Sequence, residues 1–364
     1  MVFMFSADDH RFMARALQLA RHGLFTTTPN PRVGCVIARG GNRVGEGWHE
    51  RAGAPHAEVN ALTVAGAAAR GATAYVSLEP CTHYGRTAPC AEALVAAGVA
   101  RVVAAMQDPN PLVAGKGLAR LEEAGVAIEC GLLEDEAREL NIGFVSRTKR
   151  GRPWVRMKLA ASLDGKTALN NGKSRWITGE AARRDGHHFR ARACAVMTGI
   201  GTVKDDDPQL TVREVETTRQ PLRVIVDSRL ETPVAAKILR GGGVLIAAAV
   251  NGGDNFPALK DKGAEMVVLP NAGGKVELGA LMRELARRGI NEVHVEAGHK
   301  LNGSLLGEGL VDELVIYLAP HLIGDAARGM FNLPELEDLS GRRELKIHDL
   351  RMIDKDIRVI ARIV

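Results

Sequence analysis

The chain has 364 residues, of which 46% are hydrophobic and 25% charged, with a formal net charge of +5. That length provides for about two domains with cores of their own, and the composition excludes a disordered or fibrous protein. The longest apolar runs, such as residues 244–250, fall short of the roughly 20 residues of a membrane span, and the first residues lack a basic region followed by a signal core, so a cytoplasmic protein is expected.

The positive balance invites a nucleic-acid reading. Against it, the basic residues are scattered, and aromatic residues, which would stack single-stranded bases, are only 4%. The densest basic segment, residues 147–152, lies between two regular patterns and reads as a solvated interdomain connection. No nucleic-acid or membrane partner is expected. The five cysteines, at 35, 81, 90, 130 and 194, are odd in number and widely spaced, which argues against a disulfide framework. Cys35, Cys130 and Cys194 sit in apolar stretches where a free thiol packs as a small core residue.

In chain order, Ser6 and the acids after it can cap a helix whose apolar face includes Phe12, Ala16, Leu19 and Ala20. Two strands, residues 33–38 and 43–47, flank the turn signal Arg39-Gly40-Gly41-Asn42. His56 opens a helix, residues 74–78 read as a strand, and a helix near 91–97, a strand at 101–106, a helix near 116–124 and a strand at 126–130 follow. This alternation predicts one sheet covered by helices.

Inside that pattern stand His56-Ala57-Glu58 and, further on, Pro80-Cys81 and Pro89-Cys90. An imidazole and two thiolates fill three corners of a tetrahedral zinc site and leave the fourth for water or substrate, the arrangement of a catalytic metal. In zinc deaminases the glutamate two residues after the histidine is the general acid/base. The prolines suit helix-entry turns, so Cys81 and Cys90 are both expected near helix starts, where the thiolate form is favoured. The usual signature is Pro-Cys-x-x-Cys, whereas the second cysteine here is Cys90, and the intervening insertion has room to read a substrate. A structural zinc clasp with His49 or His83 as fourth ligand is the competing reading, and Glu58 weighs against it.

The second half offers short apolar strands at residues 154–159, 193–198, 222–227, 244–249, 265–269, 292–296, 313–319, 344–350 and 357–364, with helices near 180–192, 277–288 and 302–309. It is α/β again, with no repeat of the first half. Gly199-Ile200-Gly201 supplies two glycines and then departs from the Gly-x-Gly-x-x-Gly fingerprint, so a conventional Rossmann domain is not expected. Two loops, residues 199–202 and 298–304, could still hold a pyrophosphate on backbone N–H groups.

Four blocks in order, Thr28-Pro29-Asn30-Pro31-Arg32-Val33-Gly34-Cys35, Gly47-Trp48-His49, His56-Ala57-Glu58 and the stretch from Pro80 to Cys90, resemble the deaminase half of the bifunctional riboflavin-biosynthesis deaminase/reductases. Residues 157–166, Trp176-Ile177-Thr178, residues 201–213 and Val295-Glu296-Ala297-Gly298 resemble the reductase half. The resemblance implies a cytidine-deaminase-like three-layer domain at residues 1–147, the basic linker at 148–152, and a dihydrofolate-reductase-like α/β domain at 153–364. It implies one zinc ion per chain, held by His56, Cys81 and Cys90, with Glu58 catalytic. It also implies NADPH, small phosphorylated pyrimidine substrates, and a homo-oligomer.

On the same resemblance, Asn30, His49 and Arg86 bind the deaminase substrate. Ala160, Trp176, Thr202, Asp206, Ser228, Gly298, His299, Lys300, Leu301, Asn302, Gly303 and Ser304 contact the cofactor. Lys158, Ser174, Arg190, Leu210, Arg213 and Glu296 meet the sugar-phosphate substrate, with Lys158 and Glu296 the candidates for proton traffic. The implied chemistry is deamination of 2,5-diamino-6-(5-phosphoribosylamino)pyrimidin-4(3H)-one, then reduction of the ribosyl group to ribityl. Two other readings remain open at this point: a nucleoside, nucleotide or nucleic-acid base deaminase with an unrelated C-terminal domain, and a zinc-stabilised scaffold or RNA-binding module.

Overall fold

The computed structural model describes residues 5–82, 89–111 and 113–364. The chain divides into two compact units, Met1–Gly151 and Arg152–Val364. No helix among the described residues is long and apolar enough to cross a membrane.

The first unit runs α1 (Ala7–Ala20), β1 (Gly34–Arg39), β2 (Asn42–Trp48), α2 (Ala57–Ala65), β3 (Thr73–Val76), α3 (Cys90–Ala96), β4 (Arg101–Ala104), α4 (Lys116–Glu123), β5 (Ala127–Cys130), α5 (Glu134–Leu140) and α6 (Ile142–Arg150). Helix α1 starts where expected because Ser6 and Asp9 close a reciprocal capping box. The five strands form one sheet in the order β2-β1-β3-β4-β5, antiparallel at β2-β1-β3 and parallel onward.

Alternation along β1 sorts the layers. Cys35 and Ile37 point to a core shared with Ala57 and Ala61 of α2, Leu94 of α3 and Leu121 of α4. Val36 and Ala38 point to the opposite core with Phe12, Met13 and Ala16 of α1 and Ala137 of α5. Three layers result. The outer helices sit close because glycines face them: a Cβ on Gly34 would stand 2.0 Å from the Ala16 carbonyl, and one on Gly47 2.6 Å from Cβ of Asn60.

The basic run expected as a linker is instead the last turn of α6, which carries Arg147, Lys149 and Arg150 and ends at Gly151 with φ +65°. Cationic side chains favour a helix C-terminus and glycine favours the left-handed cap, so residues 148–150 prolong the helix.

The second unit contains β6 (Trp154–Ser162), β7 (Lys166–Ala168), α7 (Glu180–Arg192), β8 (Ala195–Gly199), α8 (Ile200–Asp206), β9 (Leu222–Val226), β10 (Val244–Ala248), α9 (Phe256–Asp261), β11 (Ala264–Val268), α10 (Leu278–Arg287), β12 (Glu292–Val295), α11 (His299–Gly307), β13 (Glu313–Ala319), β14 (Arg328–Gly329), β15 (Leu345–Ile353) and β16 (Asp356–Ile363). Nine strands make one sheet in the order β11-β10-β9-β8-β12-β6-β13-β16-β15. It is parallel from β11 to β13, where buried aliphatic runs such as Val244–Ala248 are covered on both faces, and antiparallel through β16 and β15.

Across the middle of this sheet lies a buried ionic ladder. Arg156 on β6 pairs with Glu292 on β12 (3.1 Å) and with Glu313 on β13, and Arg192 reaches Glu292 at 2.7 Å. The outermost pair of strands differs from the rest. Leu345, Ile347, Leu350 and Met352 on β15 are 42%, 54%, 64% and 59% exposed. Their partners across the β15-β16 ladder are Ile363, Ala361, Val359 and Ile357, so all eight lie on one face of the hairpin.

Candidate active site

His56 is the N-cap of α2 and Cys90 is the first residue of α3. Cys81 lies in irregular chain after β3, not at a helix start as Pro80 suggested, and it instead accepts the N–H of Cys90 at 3.5 Å. His56 turns Nδ1 towards both sulfurs, 3.1 Å from Cys90 Sγ and 3.6 Å from Cys81 Sγ. All three donor atoms lie within 4.8 Å of one another. One nitrogen and two sulfurs at that spacing fit three vertices of a tetrahedron about zinc. Hydrogen bonding by the Cys90 thiol and by His56 holds the Cys81 thiol well below its ordinary range.

Glu58 stands in the first turn of α2, 3% exposed, and its Oε2 has no hydrogen-bond partner among the described residues. Burial raises its carboxyl to about 7. A buried carboxylate oxygen left unmatched beside a metal triad is available to a substrate proton.

His56, Cys81 and Glu58 open on a cavity of about 260 Å³ lined also by Asn30, Pro31, Val33, His49, Leu78, Glu79, Asp108, Asn110, Val113 and Phe144. His49 is 3% exposed; its Nδ1 contacts the Pro55 carbonyl at 3.1 Å and its Nε2 contacts Asn30 Nδ2 at 3.1 Å. A carbonyl partner requires Nδ1 to carry the proton, which leaves Nε2 as the acceptor for the Asn30 amide. Burial lowers the pKa of His49, in keeping with a neutral ring. Arg86 and the alternative ligand His83 lie outside the described residues.

Sequence reasoning missed the far wall of this cavity. Asp108 and Asn110 belong to Asp108-Pro109-Asn110-Pro111, which reads as a turn, and the Asn110 N–H does bond the Asp108 carboxylate at 2.8 Å. Glu79 is 4% exposed and accepts the N–H groups of Asp108, Gly115, Gly117 and Leu118 at 3.0, 3.0, 2.8 and 3.4 Å. One carboxylate thus ties the metal loop to residues 108–118.

In the second unit a cavity of about 620 Å³ brings together Lys158, Ala160, Ser174, Trp176, Arg190, Thr202, Asp206, Leu210, Arg213, Glu296, Gly298, His299 and Asn302. Ser228 does not line it; its hydroxyl accepts the Val276 N–H at 3.2 Å. Residues 298–304 are not a loop. Gly298 caps α11, and only Gly298, His299 and Asn302 of that stretch face the cavity. Leu301 packs on the core, a Cβ on Gly303 would stand 2.0 Å from the Asn332 carbonyl, and the Ser304 hydroxyl bonds the Lys300 carbonyl.

The lining mixes seven basic side chains with five carboxylates, Glu180, Asp205, Asp206, Glu214 and Glu296. Arg175, Arg183, Arg184 and Arg328 join Lys158, Arg190 and Arg213, and Arg183 stacks 4.4 Å above the exposed Trp176 ring. A large cavity with that many cations suits phosphate-bearing ligands, and the N-terminus of α11 adds backbone N–H groups. Arg190 is engaged: it meets both carboxylate oxygens of Glu296, one at 2.9 Å, and donates to the Thr211 carbonyl at 3.0 Å. Lys158 is lowered by burial and by the charges of Arg190 and Arg183, against the opposing pull of Glu296. His187, unnoticed in the sequence, accepts the Arg213 N–H on Nδ1 at 3.2 Å.

The family described as cytidine and deoxycytidylate deaminase zinc-binding region matches residues 6–106, and that described as RibD C-terminal domain matches residues 153–359. Riboflavin biosynthesis protein RibD of Escherichia coli K12 is 48% identical over 363 residues, covering 96% of this chain and 98% of its own. The structure of Acinetobacter baumannii RibD is similar with a TM-score of 0.92 at 46% identity, covering 98% of this chain and 99% of that one. A diaminohydroxyphosphoribosylaminopyrimidine deaminase/5-amino-6-(5-phosphoribosylamino)uracil reductase from Thermotoga maritima gives a TM-score of 0.87 at 31% identity, covering 98% and 99%. The two expected fold classes are therefore borne out, as is the choice of reductase over an unrelated C-terminal domain. With matches over nearly its whole length, the chain belongs to the RibD family of bifunctional riboflavin-biosynthesis enzymes, with a zinc-binding deaminase domain and an NADPH-using reductase domain.

Proposed function

We propose that residues 1–147 deaminate 2,5-diamino-6-(5-phosphoribosylamino)pyrimidin-4(3H)-one and that residues 153–364 reduce the resulting 5-amino-6-(5-phosphoribosylamino)uracil at its ribosyl group. The observation that carries the reading is the metal triad with the unmatched Glu58 oxygen, set in a cavity that also holds Asn30 and His49. When bound, zinc at His56, Cys81 and Cys90 supplies the activation of water, and NADPH in the second cavity supplies the hydride.

The chain's own groups do the rest. Glu58 carries two protons in turn, the first from water to the ring nitrogen and the second from the hydroxyl left on the ring carbon to the departing amine, so that a carbonyl replaces the amine and ammonia leaves. Asn30, held by His49, presents its amide to the pyrimidine edge. Arg86 supplies the phosphate contact in the insertion.

In the second unit, Lys158 protonates the ribose ring oxygen as C1′ receives the hydride, giving the open ribityl chain. Its lowered pKa suits that task. Glu296 is kept ionised beside it by Arg190. Arg213 contacts the sugar phosphate. Ala160, Ser174, Trp176, Thr202, Asp206, Leu210, Gly298, His299 and Asn302 shape the ligand cavity, whereas Ser228, Lys300, Leu301, Gly303 and Ser304 do not line it.

The test gives zinc-loaded protein the diaminopyrimidine ribotide and follows ammonia and NADPH absorbance together. Ammonia release without NADPH, with NADPH oxidised only after deamination, is the expected result. No ammonia from this substrate, but release from cytidine or a deoxynucleotide, would overturn the first assignment.

The enzyme is also proposed to be a homo-oligomer. Support comes from the apolar face of the β15-β16 hairpin, because contiguous apolar surface of this kind at a sheet edge is rarely left to water.

A further inference from the structure

Asn141 opens α6, and asparagine is among the preferred N-cap residues, yet its side chain makes no cap hydrogen bond. It is 1% exposed and spent elsewhere. Its Oδ1 accepts the Arg32 N–H at 2.7 Å, and its Nδ2 donates to the Arg32 carbonyl at 2.9 Å. One amide thus satisfies both main-chain groups of one residue, as a neighbouring strand would. The grip is doubled, for the Arg32 guanidinium donates to the Leu140 carbonyl at 2.7 Å. A residue that forgoes its local preference while fully buried points to a tertiary task.

What is held matters for the reaction. Arg32 is two residues from Asn30, whose amide meets His49 Nε2, and the His49 ring stands 5.3 Å from the ring of the metal ligand His56. On the other side, Phe144 of α6 lines the same cavity less than one turn beyond Asn141. The triad and Glu58 come from residues 56–90, within the matched zinc-binding region, whereas Asn141 and Phe144 lie beyond it.

We propose that Asn141 is a positioning residue of the deaminase: through the Arg32 backbone it sets the Asn30 loop and the Phe144 wall against each other, and so fixes where the pyrimidine ring sits over Glu58. It touches no reacting atom. Its loss costs substrate alignment and leaves the metal triad intact. The inference rests on the assignment of this cavity to the diaminopyrimidine ribotide.

The test compares Asn141→Ala and Asn141→Asp with the wild type, in the full chain with zinc bound. Aspartate keeps the acceptor for the Arg32 N–H but sets a second acceptor against its carbonyl, so an effect of the same sign is expected there. Expected are one zinc per chain in both variants, unchanged reductase kinetics, and a KM for deamination raised about tenfold or more in the alanine variant, with kcat within about threefold. An unchanged KM in alanine protein that retains its zinc would overturn the proposal. So would a fall in kcat that tracks zinc loss in both variants, since that marks a purely structural role. If the alanine variant fails to fold, the aspartate variant alone decides, by a raised or an unchanged KM. A wild-type enzyme that releases no ammonia from the ribotide would instead defeat the substrate assignment.

Discussion

Arg190 and Glu296 face each other as a two-point ion pair on the wall of the reductase cavity, the guanidinium of α7 meeting the carboxylate that follows β12. Burial alone would raise the Glu296 carboxyl, yet Arg190 and His294 hold it well below its usual range. Glu296→Gln removes the charge while keeping the shape. The expected outcome is a fall of roughly 10²-fold or more in kcat/KM for NADPH-dependent reduction, about 3 kcal/mol of lost transition-state stabilisation, with ammonia release unchanged. Separate assays of the two steps check it.

His187 predicts a pH dependence of stability. Burial, aided by the charges of Arg190 and Arg213, lowers its pKa from 6.5 to about 4. The unfolded chain therefore binds the extra proton between those values, so stability rises with pH through that window, is complete above 6.5 and is lost as pH falls through about 4. His187→Gln should flatten the curve, by up to about 3 kcal/mol. Urea unfolding of both proteins from pH 4 to 7 measures it.

Glu58→Gln should leave one zinc per chain and lower the rate of ammonia release by roughly 10²- to 10⁴-fold, the usual contribution of a general acid/base. Cys90→Ser should instead lose the metal. Zinc analysis beside the ammonia assay separates the two, and deamination by the glutamine variant at the wild-type rate would remove Glu58 from its role.

Gly117, in the first turn of α4, donates its N–H to Glu79, and a Cβ there would stand 1.9 Å from the Pro80 carbonyl. Gly117→Ala must push Pro80, and with it the neighbouring ligand Cys81. Overpacking of this kind costs about 1–3 kcal/mol. A lower melting temperature and faster zinc loss to a chelator are expected, with normal reductase activity.

Leu350→Lys with Met352→Lys places two charges on the exposed face of β15. If that face joins copies of the chain, the double variant should sediment as a smaller species than the wild type while each activity persists. Identical sedimentation would move the contact elsewhere.

The zinc ligands and Glu58 were legible in the sequence because few side chains perform that chemistry and their order along the chain is short. The opposite wall was not. Asp108 and Asn110 are flanked by prolines and read as a turn, and Phe144 lies far along the chain in a helix whose basic end looked like a linker. In sequence the stretch from Gly298 to Ser304 reads as a continuous binding loop, but a helix rotates about 100° per residue, so its side chains divide between cavity, core and surface. Short helices such as α8 and α9 have too few residues to display a period.

The Arg156 ladder bears on how the larger sheet finds its strand order. Arg156 lies opposite His294 on one side and Glu313 on the other, and Glu313 in turn lies opposite Arg362. Sliding any of these strands by one residue would turn a charge into the aliphatic layer with no counter-ion, a loss of several kcal/mol. Apolar side chains of similar size would tolerate such a slip far better. The parallel strands on both sides of β6 are thus proofread by charge, and the same alignment that passes this test delivers Lys158 and Glu296 to one cavity.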